Sequence, residues 1–230
     1  PIMTHFDTTQ IKQDLVGQHW VITAGPTMEA IDPVRFISNH SSGKMGYALA
    51  TAAIARGATV TLISGPVQIT APAGAKIIAV KSADEMLAAC EQSMITQADV
   101  FIGAAAVADF KMKTASDQKM KKQSDTDEIT LTLVKNPDII ATLAQQKRAK
   151  ILVGFAAETQ NVIEYAKSKL ERKGLDIIIA NDVSRADIGF NQDDNQVTVI
   201  TKDKTWSPDK TTKNALAGQL VEFIQQQTQS

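Results

Sequence analysis

The chain has 230 residues, with 24 Lys and Arg set against 25 Asp and Glu, so no net basic field is present to attract nucleic acid. Hydrophobic residues make up 43%, enough for a sizeable core, and the single Cys90 cannot form an internal disulfide. The longest apolar runs (100–108 and 177–180) fall far short of the roughly 20 residues of a membrane span, and the first fifteen residues lack the apolar core of a signal peptide, so a cytoplasmic protein is expected.

HWVITAG (19–25) reads as a strand entering a Gly-Pro turn. GYALATAAIARG (46–57) is a small-residue helix closed by Gly57, and ATVTLISGP (58–66) is a second strand. In SADEMLAACEQSMI (82–95), Ser82 and Glu85 have the spacing of a capping box, and Cys90 reads as an inert buried thiol. ADVFIGAAAVADF (98–110) is a buried strand running into a loop. Residues 111–127 are charged and without period, either a solvated mobile loop or a functional one. EITLTLVKN (128–136) alternates at period two, and DIIATLAQQK (138–147) is a helix. A strand (151–159), a helix (160–174) and a buried strand (175–182) follow. A hairpin (195–209) and a final helix (214–227) complete the chain. Strands alternating with helices across short connections predict one α/β domain over 1–230: a Rossmann-like, mostly parallel sheet with helices on both faces and a small C-terminal β-hairpin.

In such sheets ligands bind beyond the carboxyl ends of the strands. After the first strand come Gly25, Pro26 and Thr27, then a long insertion carrying Arg35 and Asn39, then Ser41, Ser42, Gly43, Lys44, Met45 and Gly46. Small residues at a helix N-terminus either cradle an anion or simply cap the helix. The spacing is neither a Walker A loop nor G-x-G-x-x-G. In the loop that ends 98–110, Ala105 and Ala106 would let a flat ligand lie against the backbone, and Asp109 could take ribose, a base or a metal. Lys119, Lys121 and Lys122 either close over an acidic substrate or form a solvated charge run. Asn136, Pro137, Asp138 and Ile139 open a helix, where a carboxylate is favoured without any ligand. Phe155 either stacks on a base or belongs to the core. Lys169 and Lys173 share a helix face, and a bound anion or plain exposure would offset their repulsion. Tyr165 with Lys169 has the spacing of a short-chain dehydrogenase, a rival reading that lacks the dinucleotide turn and the serine near position 152. A catalytically silent nucleotide-binding module is the second rival. His5, His19 and His40 are scattered, so a dedicated zinc site is not expected.

In order, IDPVRFISNHSSGKMGYALA, AAAVADF with K-x-K-K ten residues beyond Asp109, KNPDII, GFAAET, the paired lysines and IIIAND resemble phosphopantothenoylcysteine synthetase over roughly residues 18–203. The sequence departs from that pattern at Ala30, commonly Pro, and at Pro26, where a second glycine is common. The resemblance implies a ligase of coenzyme A biosynthesis that joins 4'-phosphopantothenate to L-cysteine. CTP is consumed to CMP and pyrophosphate through an acyl-cytidylate, with Mg2+ assisting. By match to the family motifs, Asp109 and Phe155 would contact the cytidine, and Asn136 through Ile139 would hold its base through backbone groups. Lys119, Lys169 and Lys173 would neutralise phosphates. Gly25 through Thr27 and Ser41 through Gly46 would line the triphosphate or acyl-phosphate. Asn39 would serve the turnover of the acyl-cytidylate, with Lys119 on the loop that closes over it. Ala105, Ala106, Arg35 and Asn39 would bind substrate. The resemblance further implies a homodimer with shared sites, to which Arg35 and Asn39 are candidates to contribute across the interface; the balanced charge and short apolar runs predict no nucleic-acid or membrane partner. Metal ligands are not legible, and a free-standing synthetase and half of a bifunctional protein both stay open.

Overall fold

The computed structural model describes residues 12–121, 128–158, 161–182 and 194–228. Strand β1 (His19–Ala24) leads into a small antiparallel hairpin, β2 (Met28–Ala30) with β3 (Phe36–Ser38), and then into helix α1 (Lys44–Ala55). Strands β4 (Thr59–Ser64) and β5 (Lys76–Ala79), helix α2 (Ala83–Ser93) and strand β6 (Ala98–Gly103) follow. A second small hairpin joins β7 (Phe110–Met112) to β8 (Leu133–Lys135), ahead of α3 (Ile139–Gln145). Next come β9 (Ala149–Glu158), α4 (Val162–Lys173) and β10 (Ile177–Asp182). The chain closes with β11 (Asp194–Asn195), β12 (Val197–Thr201), β13 (Thr205–Trp206), β14 (Thr211–Thr212) and α5 (Lys213–Thr228).

Eight strands form the central sheet, in the order β13-β12-β10-β9-β6-β1-β4-β5. The six from β10 to β5 run parallel, and β12 and β13 add antiparallel at one edge. Alternation sorts the side chains: Trp20 and Ile22 of β1 pack under α1 and α5, and Val21 packs under α2, α3 and α4 on the other face. Parallel order with helices on both sides leaves one edge of the sheet, the carboxyl edge, open to loops.

Five details differ from the sequence expectation. The insertion at 24–46 is not irregular but holds the β2–β3 hairpin. Strand β5 was not anticipated, because its KIIA has only one half-buried side chain. The alternating 128–136 segment forms only β8, whose three residues are exposed, and pairs with β7 outside the central sheet. Residues 111–127 begin as strand, and 122–127, with Lys122, lie outside the described residues. The expected C-terminal hairpin, β12–β13, extends the main sheet.

Candidate active site

Backbone bonds knit the turn after β1 to the loop after β6. Thr27 N–H donates to Ala106 O (3.2 Å), and Ala106 N–H returns to Gly25 O (2.9 Å). Buried threonines add to this, since Thr23 Oγ1 accepts from Ala105 N (3.2 Å) and Thr27 Oγ1 from Ala108 N (2.9 Å). Upon this platform sits Asn39, whose Nδ2 donates to Val107 O (3.0 Å) and approaches Ala106 O (3.4 Å). Ser38 anchors the end of the insertion by donating to Thr27 O (2.7 Å). Asn39, Ala105, Ala106 and Pro26 to Thr27 are thus brought together.

The N-cap of α1 is Gly43, at φ +75° and with no side-chain cap. Ser41 Oγ accepts from Gly43 N instead (3.4 Å), and Tyr47 N makes the first helical bond, to Gly43 O (3.1 Å). The amides of Lys44, Met45 and Gly46 precede that bond at the positive end of a twelve-residue helix. The glycines also serve packing. A Cβ on Gly25 (φ +73°) or on Gly43 would meet Val67 Cγ1 at 2.9 Å. Both residues sit in the left-handed region, where glycine carries no steric penalty.

Asn136 joins the two sides of the next loop. Its N–H donates to Asp109 O (2.9 Å) and its Nδ2 to Ala108 O (2.8 Å). Its Oδ1 is buried and has no hydrogen-bond partner. Asp138 caps α3 by accepting from Ala141 N (3.2 Å), and it forms an ion pair with Lys173 (3.0 Å). The charge of Lys173 is therefore matched by a protein carboxylate at the mouth of the site. Lys169 lies one turn earlier on α4, half-buried. Pro137 is half-buried, whereas Ile139 is buried in the core under α2, α3 and α4. Phe155 packs against the opposite core, under α1 and α5, so Phe155 and Ile139 belong to opposite faces of the sheet. Asp109 is exposed.

Sequence reasoning missed Asp32, the best-connected side chain of the insertion. Its carboxylate is fully buried and accepts from the amides of Val34 and Arg35 (both 2.8 Å), from Arg35 Nε (3.0 Å) and Nη2 (2.5 Å), and from Met120 N (3.1 Å). The Arg35 guanidinium, followed by these amides, outweighs burial and holds the carboxyl below the usual carboxylate range. Arg35 Nη2 also donates to Met120 O (2.9 Å). Lys119, exposed, is therefore carried on a segment bonded to the insertion, with Lys121 just beyond. The Asp-Pro-x-Arg string was the available signal, since Asp before Pro favours a side-chain-closed turn.

Cys90 is buried, and burial, with Glu91 nearby, pushes its thiol up to about 12, far from a nucleophile's range. Tyr165 is exposed on α4. Among the described residues no three His, Cys, Asp or Glu side chains form a metal cluster, and no helix is long and apolar enough to cross a membrane. Mg2+ needs no such cluster: it binds through one or two carboxylates together with substrate phosphates, and the exposed Asp109 fits that donor set.

The mostly parallel sheet with helices on both faces, and the linked loops at its carboxyl edge, define an α/β protein of the Rossmann-like class. Residues 15–228 match the family of the DNA/pantothenate metabolism flavoprotein C-terminal domain, and the chain belongs to that family. It is 49% identical over 227 residues to the coenzyme A biosynthesis bifunctional protein CoaBC of Vibrio cholerae, covering 98% of this chain and 57% of that protein. With CoaBC of Escherichia coli K12 it shares 53% over 192 residues, covering 83% and 47%. The chain thus spans about half the length of these relatives. The crystal structure of the C-terminal domain of a CoaBC superposes with a TM-score of 0.81 at 38% identity, covering 95% of this chain and 99% of that one.

Proposed function

We propose that this domain is a cytoplasmic phosphopantothenate–cysteine ligase of coenzyme A biosynthesis that uses CTP. Its membership of the family, and relatives named for coenzyme A biosynthesis, support the pathway. The observation that carries the site is Asn39 seated on the Ala106–Val107 carbonyls, where the turn after β1 and the loop leading to Asp109 and Asn136 are hydrogen-bonded together.

The reaction divides into two displacements. An oxygen of the 4'-phosphopantothenate carboxylate attacks the α-phosphorus of CTP, and the bond to pyrophosphate breaks. The amine of L-cysteine then attacks the acyl carbon, loses a proton, and expels CMP. Positioning and charge neutralisation dominate the first step. The amides of Lys44 to Gly46, which precede the first helical bond, suit a phosphate, and Gly25 to Thr27 and Ser41 to Gly43 would line its approach. Lys119, Lys169 and Lys173 supply cationic charge; Lys173 would exchange its Asp138 partner for a phosphate oxygen. The orphaned Oδ1 of Asn136 suits the exocyclic amino group of cytosine, beside Asp109, Pro137 and Asp138. Ala105, Ala106 and Arg35 would meet the acyl substrate. Asn39 Nδ2 would exchange its long 3.4 Å contact with Ala106 O for the acyl carbonyl as negative charge builds there. Mg2+ carried on the triphosphate, with Asp109 as the nearby carboxylate, would neutralise phosphate charge. We further propose a homodimer.

The purified protein should release CMP only when 4'-phosphopantothenate and cysteine are both present, and without cysteine an acyl-cytidylate should accumulate to at most one per site. In Asn39→Asp the intermediate should form and its conversion should fall on the order of 100-fold or more. Mass spectrometry of the quenched reaction distinguishes these steps. Absence of any CTP-dependent amide in the wild type would overturn the proposal.

A further inference from the structure

We infer that Asp32 is a positioning residue that clamps the Lys119 segment onto the inserted loop through one oxygen of its carboxylate. This rests on the ligase reading only insofar as Lys119 acts on the substrates. The two oxygens divide the work. Oδ1 accepts from the amides of Val34 and Arg35, both at 2.8 Å, and so closes a turn within the insertion. Oδ2 accepts from Arg35 Nε (3.0 Å), Arg35 Nη2 (2.5 Å) and Met120 N (3.1 Å), and so reaches a residue far along the chain. Arg35 Nη2 also donates to Met120 O (2.9 Å), which fixes both backbone polar groups of Met120. Ser116 N donates to Ile31 O (3.0 Å), giving the segment a second anchor on the same loop. Lys119 lies between those anchors.

The side chain of Asp32 has no exposed surface, whereas that of Arg35 is 46% exposed. A buried carboxylate persists only when its oxygens are paired, and here pairing requires Arg35 and Met120 to stay in place together. Arg35 thereby acts twice, as the counter-charge and as the second hand on Met120. The consequence for chemistry is preorganisation: a lysine on a tethered segment loses less freedom on each turnover than one on a free loop.

Asp32→Asn separates the two functions, because it preserves volume and one acceptor but puts an NH2 group where Oδ2 accepts three hydrogen bonds. Hydrogen exchange of the full chain should show the peptide at 114–121 exchanging at least about 10-fold faster in the variant, with β1 and β6 unchanged. The kcat for CTP-dependent amide formation should fall on the order of 10- to 100-fold, with KM for CTP within about threefold. In a Lys119→Gln background, Asp32→Asn should add less than about a twofold further loss, since both act through one ammonium group. Unchanged exchange at 114–121 overturns the clamp, and so does a full further loss in the Lys119→Gln background. If Asp32→Asn does not fold, Met120→Pro deletes the donated N–H while leaving the Asp32–Arg35 pair, and it is judged by the same exchange criterion. If the wild type forms no amide, the ligase reading fails, yet exchange still decides the clamp.

Discussion

Asp32 also makes a pH-dependent contribution that can be isolated. Its folded-state pKa lies below the unfolded value of 3.8, chiefly because of the hydrogen bonds from Arg35. Such a group stabilises the fold above its unfolded pKa, and the contribution is lost as pH falls through the folded value. The wild type should therefore exceed Asp32→Asn in urea midpoint at pH 7 and pH 5, and the gap should close progressively below about pH 3.8. A gap that is flat or widens on acidification would refute the assignment. Asp14, bonded to Arg56, and Asp99, bonded to Lys150, are depressed as well but stay intact in the variant, so their contributions cancel in the difference. Residue-level chemistry was partly legible in the sequence. Asn39, Asn136 and Lys173 stood in recognisable strings, and each has a defined partner in the structure. Asp32 stood in the same strings and was passed over, because its significance comes from Met120, a contact that no local pattern encodes.

Elements were easiest to read where one face of them is buried. The strands β1, β4, β6, β9 and β10 are apolar runs between Gly, Pro or cap signals, and their strand–helix alternation dictates the parallel order. The β2–β3 hairpin, β7 and β5 were not legible, because their short strands bury little and show no period that a sheet face would impose. The glycines carry a different lesson. Gly46 falls in the string assigned to phosphate contact, yet its position has a packing reason as well: a Cβ there would meet Ala24 Cβ at 2.6 Å and Thr23 O at 3.1 Å. Helix propensity alone would favour alanine by up to about 1 kcal/mol. Overpacking of α1 against the β1 backbone costs about 1–3 kcal/mol and wins, because Ala24 and Thr23 belong to the central strand. Gly46→Ala should therefore lower Tm by roughly 2–10 °C in a chain of this size, measured by calorimetry. An unchanged or raised Tm would show that α1 can shift outward freely.

At the scale of the whole molecule, the two small hairpins form a unit apart from the central sheet, with β2 packed beside β7. Together they leave Val34, Phe36, Phe110, Leu133 and Val134 exposed, with Phe36 51% and Phe110 45% accessible. Isolated exposed side chains need no explanation, but five large ones on neighbouring short strands and the loop joining β2 to β3 are a surface suited to covering. A second copy of the chain is the occupant we propose, through a two-fold contact in which the same patch meets itself. Such a contact would also steady the Asp32–Arg35 loop, because that loop connects β2 to β3. Light scattering at tens of micromolar should give twice the 24.8 kDa of one chain. Replacing Phe36 and Phe110 together by Glu should give a 24.8 kDa species with an unchanged far-ultraviolet spectrum, since neither side chain belongs to the buried core. That monomer should lose most of its amide-forming activity if the sites are shared and keep it if each chain is sufficient. A wild type that scatters as a monomer across this range would remove the dimer, and with it any part of the neighbouring chain in the chemistry.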